Sequence, residues 1–553
     1  MMRILVIGGV AAGTKAAAKL RRELPSSVIT VVTSDRHVSY AGCGLPYFIG
    51  GIIKEERELV VKAPRLFKEE NGIEILTLHQ AVRIEPEAKK VEVIDLEKQV
   101  HKVFDYDLLV ISTGASPFVP RMEGIDLDGI QVLRTIDDAR EIRDRVDQNA
   151  ARQALVVGGG FIGLEVAENL VHRGIPTTLV EFQPQILPGY DLEMALIAEN
   201  HLVEKGLRLI KNRKVVAFEG DPLGKVQNAK LDGGEVLAAD LAVWATGVRP
   251  NVELARSCGI VIGPTGAIQV DERMETNIPG IFAVGDCAEN QHLLLDRPVW
   301  FPMGSTANKA GRIVGINASG GSKRMPGLLG TNIVKLFDLN AARTGLSTRE
   351  ALEAGFDIET VLVPANDKAH YYPGYRNVNT KLIADRKTHR VLGGQIIGEG
   401  VVDKPIDILV TAISFGATVE DLTTLDLAYA PPFSMAMSSL ITAANVLENK
   451  LTGKVQGILP TELFERMEGG EDFQIVDLRS EPEFIIGTIE GALHIPLTEL
   501  SSRIGELDPA RETVLLCKYG KRSYLGAREL THAGFEKVEI LEGGLLLYPY
   551  ETV

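Results

Sequence analysis

Cysteine is scarce in this chain: four among 553 residues, at positions 43, 258, 287 and 517. No two form a C-x2-C or C-x4-C pair, and so few thiols exclude a disulfide framework. They point to a reducing cytoplasm and to one or two reactive sulfurs. Long apolar runs are missing too. The longest uncharged stretches, such as "ILVTAISFGATV" (408–419), are about a dozen residues, too short to cross a bilayer. The opening "MMRILVIGGVAAG" reads as a strand entering a glycine turn rather than as an export signal, because the pattern continues into a helix. Nor is there a block of positive charge. With 59 Lys and Arg against 74 Asp and Glu, the formal charge is −15, which repels phosphate backbones and argues against nucleic acid as a partner.

What is present is a repeated α/β grammar. Strand "RILVIGG" (3–9), helix "GTKAAAKLRREL" (13–24) and strand "VITVVT" (28–33) return as "ALVVGGG" (154–160), "FIGLEVAENLVHRG" (161–174) and "TTLVEF" (177–182). Two such units about 150 residues apart read as a duplicated dinucleotide-binding fold. Each is followed by a buried strand ending in Thr-Gly, at 106–117 and 239–250. A mixed segment, 326–447, follows, then the polar stretch "LENKLTGK" and an independent α/β unit. The expected division is a first dinucleotide domain at 1–149 and 250–325 and a second at 150–249. An α+β domain at 326–447, a linker at 448–455 and a C-terminal domain at 456–553 complete it.

"GGGFIG" (158–163) supplies Gly158, Gly160 and Gly163 of G-x-G-x-x-G, and Glu181 stands eighteen residues further on, at a strand end. The glycines admit a pyrophosphate to the helix end, and the acid can accept from a ribose hydroxyl while repelling a 2′-phosphate, so NADH is expected over NADPH. The first copy, "GGVAAG" (8–13), keeps Gly8 and Gly13 but has Val10 in the middle. Its companions are Thr113-Gly114 and Asp286 of "GDCAE". A second nucleotide site in one chain points to a flavin, FAD, that takes electrons from NADH. The candidate cofactor contacts are Gly8, Val10, Ala11, Ala12, Gly13, Thr113, Gly114 and Asp286, together with Gly158, Gly160, Ile162, Gly163, Glu181 and Gly247.

"VSYAGCGLPY" (38–47) sets Cys43 between two glycines, and its neighbours at three and five residues on are Pro46 and Phe48, so no local partner cysteine exists. Oxidised Cys43 must be a mixed disulfide with a small thiol, a sulfenic acid or a persulfide. A flavin and a helix end nearby are expected to lower its pKa. Cys258 and Cys287 read as packing residues.

With "HYYPG" (370–374), "DKPIDIL" (403–409) and "AYAPPFS" (428–434), this stretch resembles the two-dinucleotide-fold flavoprotein disulfide reductases. More narrowly, it resembles coenzyme A-disulfide reductases with a C-terminal rhodanese domain, some of which are NADH-dependent persulfide reductases. The resemblance covers essentially the whole chain. It implies two Rossmann-like domains, an α+β dimerisation domain and a homodimer, with Cys43 over the flavin as redox nucleophile. Tyr429 and one of Tyr371 or Tyr372 would then reach the partner's site, where a phenol can protonate a leaving thiolate. It also implies coenzyme A binding by Lys15, Lys19, Arg22 and Ser39, with Gly42 and Asn308 completing the candidate set. Gly42 and Met437 depart from the asparagine and lysine of some members.

Residues 456–553 resemble a rhodanese domain, with Asp477, Arg479 and "CKYGKRS" (517–523). A Cys-x4-Arg loop opening a helix can hold a persulfide on Cys517 with its amides and with Lys518, Lys521 and Arg522. The expected activity is NADH-dependent reduction of a coenzyme A persulfide, polysulfide or disulfide through Cys43, with Cys517 carrying sulfane sulfur. The alternatives are an NADH oxidase that uses oxygen, and a sulfurtransferase or redox sensor with a regulatory flavin module.

Overall fold

Apolar segments without polar alternation suit strands buried on both faces, and here they build parallel sheets. A computed structural model describes residues 1–553 and divides them into two units, Met1–Pro184 with Leu207–Leu328 and Gln185–Gly206 with Leu329–Val553. In the first unit, strand Arg3–Ile7 passes through a glycine turn into helix Ala11–Glu23 and strand Val28–Val32. The five-stranded parallel sheet runs Ile281–Ala283, Leu108–Ile111, Arg3–Ile7, Val28–Val32, Ile73–Leu76. The second βαβ unit is Ala154–Val157, helix Phe161–His172 and Thr177–Val180. It forms another five-stranded parallel sheet with Arg208–Ile210, Leu241–Trp244 and Ile130–Gln131. That last strand comes from the segment expected in the flavin domain; two residues carry no readable pattern.

In the second unit a five-stranded antiparallel sheet is ordered Asn332–Leu336, Leu339–Gly345, Val391–Gly398, Asn377–Asp385, Ile358–Asn366. A C-terminal parallel sheet is ordered Gln456–Ile458, Val538–Leu541, Thr513–Leu516, Gln474–Asp477, Leu493–His494. Helix Leu192–Glu204, expected in the second dinucleotide domain, belongs to this unit instead. The cause is a buried charge: Lys381 is 1% exposed and pairs with Asp191 at 2.7 Å and with Glu193. An ammonium so buried needs its counter-ions, and they bring their helix with them.

The stretch read as a linker is not a tether. Helix Ser439–Leu451 runs into it, and the Lys450 side chain is enclosed between Glu359 of the edge strand, at 2.9 Å, and Glu542 at the end of the last parallel strand. Glu542 also accepts the Leu362 amide at 2.7 Å. The charge at position 450 serves to dock one sheet against the other rather than to solvate a loop.

Candidate active site

Both glycine turns have the same internal geometry. Gly8 (φ +107) and Gly158 (φ +112) take left-handed conformations, and a Cβ on Gly13 or Gly163 would strike the carbonyl oxygen of Gly8 or Gly158. The middle position differs. Around Gly160 there is open space, so glycine there answers to an incoming ligand rather than to the protein; Val10 occupies that place in the first turn.

The parallel order brings the carboxyl ends of Arg3–Ile7, Leu108–Ile111 and Ile281–Ala283 to one edge, where ligands bind in doubly wound sheets. There the first turn, with Ala11 and Ala12, meets Thr113-Gly114 and Asp286. The Thr113 hydroxyl donates to the Asn251 carbonyl at 2.7 Å, Gly114 has φ +69, and Gly285 lies so close to Ala12 that a Cβ would collide. Burial pushes the Asp286 carboxyl up, against the pull of Arg134 at 3.9 Å. A tight turn that only glycine can take at Gly8, Gly13 and Gly285, with an under-solvated acid at its rim, fits the pyrophosphate and hydroxyl-bearing chain of a flavin dinucleotide.

At the second turn the Glu181 carboxylate accepts N–H groups from Gly159 at 2.5 Å and Gln183 at 2.6 Å. These fix its oxygens against the turn and leave lone pairs for ribose hydroxyls. Ile162 is exposed on the helix start, and Gly247 (φ +106) follows Leu241–Trp244.

Cys43 lies in the helical turn Gly42–Gly44, directly before helix Leu45–Ile49. Its loop hangs from the flavin turn: the Ser39 amide donates to the Gly9 carbonyl at 2.8 Å, and Ser39 itself has φ +48. A non-glycine residue in that region carries strain that persists where function needs the geometry. Nothing lies within reach of a Cβ built on Gly42, so a side chain there would meet no obstacle. The expectation of a lowered thiol pKa does not hold for the chain alone. Cys43 is open to solvent on one side, yet burial of its flank pushes the thiol up, and the Glu165 and Asp286 carboxylates push further than the backbone and Arg134 pull back.

Sequence reasoning missed two residues beside it. The Tyr47 hydroxyl donates to Glu165 at 3.1 Å, joining the cysteine helix to the helix of the second glycine turn. The available signals were local ones: Tyr47 follows Cys43 by four residues, and Glu165 follows Gly163 by two. Cys287 is wholly buried in the core and Cys258 is half-buried.

The candidate coenzyme A residues do not form one open basic face. Helix Ala11–Glu23 packs on helix Gly304–Asn317, whose Gly311 and Gly315 leave room for the Lys15 and Lys19 side-chain stems. Lys19 is paired with Glu23, Arg22 is exposed, and the Asn308 amide is taken by the Gly304 carbonyl at 2.9 Å.

In the second unit Tyr429 holds the Tyr371 phenol above its ordinary pKa, and Tyr372 is exposed next to Tyr371 in the chain. Tyr371 and Tyr429 are 65% and 49% exposed, beside Phe433 at 72%; apolar surface of this kind marks an interface. Met437 is exposed as well.

Cys517 ends strand Thr513–Leu516 and is 1% exposed. Its Sγ accepts the Gly520 N–H at 3.1 Å, with Gly520 at φ +96, just ahead of helix Lys521–His532. Arg522 forms a bidentate pair with Glu483, both bonds 2.7 Å, so its guanidinium is shared between that acid and the sulfur loop. Asp477 and Arg479 bind each other inside the domain at 2.7–3.0 Å and serve its frame.

Two dinucleotide folds that meet at an unpaired thiol define an oxidoreductase working between a pyridine nucleotide and sulfur. Residues 2–309 match the pyridine nucleotide-disulphide oxidoreductase family, 331–441 its dimerisation domain and 459–548 the rhodanese-like domain. The chain belongs to that family, and FAD and NAD(P)H are its cofactors. It is similar to the CoA-dependent NAD(P)H sulfur oxidoreductase of Pyrococcus furiosus, 37% identical over 81% of this chain and 99% of the relative. Among solved structures it is similar to an NAD-dependent persulfide reductase from A. fulgidus, 41% identical with TM-score 0.94 over 99% of this chain and 100% of that one. The reduced Bacillus anthracis CoADR-RHD is 35% identical, TM-score 0.94, over 99% and 97%.

Proposed function

We propose that this chain is a cytoplasmic, homodimeric NADH-dependent reductase of coenzyme A persulfide, polysulfide or disulfide, with neither nucleic acid nor membrane as a partner. The observation that carries this reading is Cys43: an accessible thiol at the junction of the two dinucleotide turns, with all four cysteines of the chain free. An enzyme so built takes its second sulfur from outside.

The Cys43 thiolate attacks the inner sulfur of a coenzyme A persulfide, giving Cys43–S–S–CoA and HS⁻. When bound, FAD and NADH would supply the two electrons and the proton with which the Cys43–S–S–CoA bond reopens to Cys43 thiolate and coenzyme A thiol. The sum is CoA–SSH + NADH → CoA–SH + HS⁻ + NAD⁺. The Gly8–Gly13 turn, Thr113-Gly114 and Asp286 would hold FAD; the Gly158–Gly163 turn and Glu181 would hold NADH. Tyr429 and one of Tyr371 or Tyr372, all exposed phenols, are suited to hold a proton at the partner subunit's sulfur. Cys517 receives sulfane sulfur from a donor and passes it on as persulfide. An oxygen-reducing oxidase has no use for that second sulfur site.

NADH-dependent sulfide release from coenzyme A persulfide tests the reading. Cys43→Ser is expected to fall to background; full release by that variant overturns it.

A further inference from the structure

The helix behind Cys43 is too short to hold itself. Leu45–Ile49 is five residues, and isolated helices below about twelve are marginal in water. Leu45, Phe48 and Ile49 are buried, but apolar burial has no direction and does not by itself fix how the helix is turned. Two arginines from different helices supply direction at its carboxyl end. Arg143 of helix Ile136–Asp147 brings Nη1 within hydrogen-bonding distance of the carbonyls of Phe48 at 3.3 Å, Ile53 at 3.2 Å and Lys54 at 2.9 Å. Its guanidinium lies over the Phe48 ring, 4.4 Å from the centroid. Arg173, which caps helix Phe161–His172, donates to the Ile49 carbonyl at 3.1 Å. The Asp147 carboxylate accepts from both guanidiniums and joins them. We propose, resting on Cys43 as the reactive sulfur, that Arg143, Asp147 and Arg173 are positioning residues, a clamp that sets where Cys43 stands when it meets its sulfur substrate.

The last carbonyls of a helix have no partners within it. Here the amides of Gly50, Ile52 and Ile53 close those of Pro46 and Tyr47, and the Ile49 carbonyl is left to Arg173. Arginines at a helix end serve this purpose well, because they bring charge and hydrogen bonds together. The Arg173 hydrogen bond holds the Asp147 carboxyl below its ordinary value, so the anion stays between the two cations. Cys43 precedes Ile49 by six residues, about 9 Å at the helical rise, so a shift at the clamp reaches the sulfur with little slack. The amino end is seated too. A Cβ on Gly44 would strike Leu59, and the Ala41 amide donates to the Leu59 carbonyl at 2.8 Å. The Cys43 segment thus hangs from the first glycine turn through Ser39 and Gly9, and from the helix of the second turn through Arg173.

The test separates the two half-reactions of the FAD-loaded enzyme. Bleaching of the flavin by NADH without oxygen reports electron arrival, and sulfide release from coenzyme A persulfide reports Cys43. Arg143→Leu and Arg173→Leu should bleach the flavin at the wild-type rate. Their kcat for sulfide release should fall roughly ten- to a hundredfold with KM little changed, because a misplacement of about 1 Å costs that much. Arg143→Lys keeps a cation and should recover part of the loss. Equal losses in both half-reactions would show a brace for the whole fold, and wild-type sulfide release in either folded variant would show an idle contact. Both results overturn the clamp. Should neither variant fold, Asp147→Asn decides. It keeps both guanidiniums, removes the anion between them and should cut sulfide release severalfold with bleaching unchanged; wild-type release there also overturns the clamp. Cys43→Ser in the same assays should bleach normally and release no sulfide. Release by that variant would sink the reading of Cys43 itself, which every other outcome leaves standing.

Discussion

Cys43 and Cys517 each stand just ahead of a helix, and their settings are opposite. Cys517 is sealed to 1% exposure, its sulfur accepts the Gly520 amide, and the Leu545 amide donates to its carbonyl oxygen at 2.9 Å. A twelve-residue helix begins at Lys521, so the positive end of its dipole faces the sulfur loop. Cys43 is open, stands ahead of a five-residue helix and has two carboxylates acting against its thiolate. The C-terminal domain thus carries its own means of stabilising a sulfur anion. The flavin-side cysteine has no such support from its own short helix and depends on groups brought to it. A carrier must hold sulfur between encounters; a redox nucleophile must gain and lose charge at every turnover.

Exchanging the two sulfurs for oxygens gives the largest contrast. Cys43→Ser removes NADH-linked reduction of every sulfur substrate. Cys517→Ser should leave NADH-dependent reduction of coenzyme A disulfide within about twofold while abolishing sulfur transfer from thiosulfate to cyanide. Parallel loss of both activities in both variants would erase the division of labour.

Next in size is the platform beneath Cys517. Lys450→Met leaves Glu359 and Glu542 facing each other without their cation. Breaking a buried pair in this way costs about 3–5 kcal/mol. The expected outcome is a lower melting temperature and faster proteolysis between the antiparallel sheet and the C-terminal domain. Cys43-dependent reduction of coenzyme A disulfide should be spared at temperatures where the variant stays folded. An unchanged melt would mean that the docking charges contribute nothing to holding the domain.

These two predictions mark where the sequence was readable and where it was not. The glycine turns, Cys43 and the Cys517 loop were legible because their chemistry is local: a few consecutive residues set the backbone and the sulfur together. Val10 looked like a defect in the first turn, but the protein makes no demand on that middle position, as the open space at Gly160 shows. What stayed hidden depends on residues far apart. Helix Leu192–Glu204 changes its allegiance because of Lys381, almost 200 residues on, and the expected linker becomes a dock because Lys450 finds Glu542. On the first helix the stems of Lys15 and Lys19 lie against Gly311 and Gly315, while Arg22 stays exposed. Tyr47 and Glu165 meet across 118 residues.

The smallest effect bears on how tightly Cys517's cradle is held. The Arg522 guanidinium keeps the Glu483 carboxyl well below the usual carboxylate range. A carboxyl whose pKa is depressed on folding stabilises the fold fully above its unfolded value, about 4.3, and loses that contribution as pH falls toward the folded value. Both side chains are 32% exposed, so solvent screens the pair, and ~1 kcal/mol is the expected scale. Glu483→Gln should therefore melt slightly below the wild type by a constant margin from pH 5 to 8, and the margin should shrink below pH 4. The same change releases Arg522 toward Cys517, so thiosulfate, a dianion, should become a better sulfur donor by severalfold in the transfer assay. A margin that persists at pH 3, or a thiosulfate rate that falls with the melt, would show that Glu483 acts by packing alone. The charge on Arg522 would then have no part in setting Cys517 apart from Cys43.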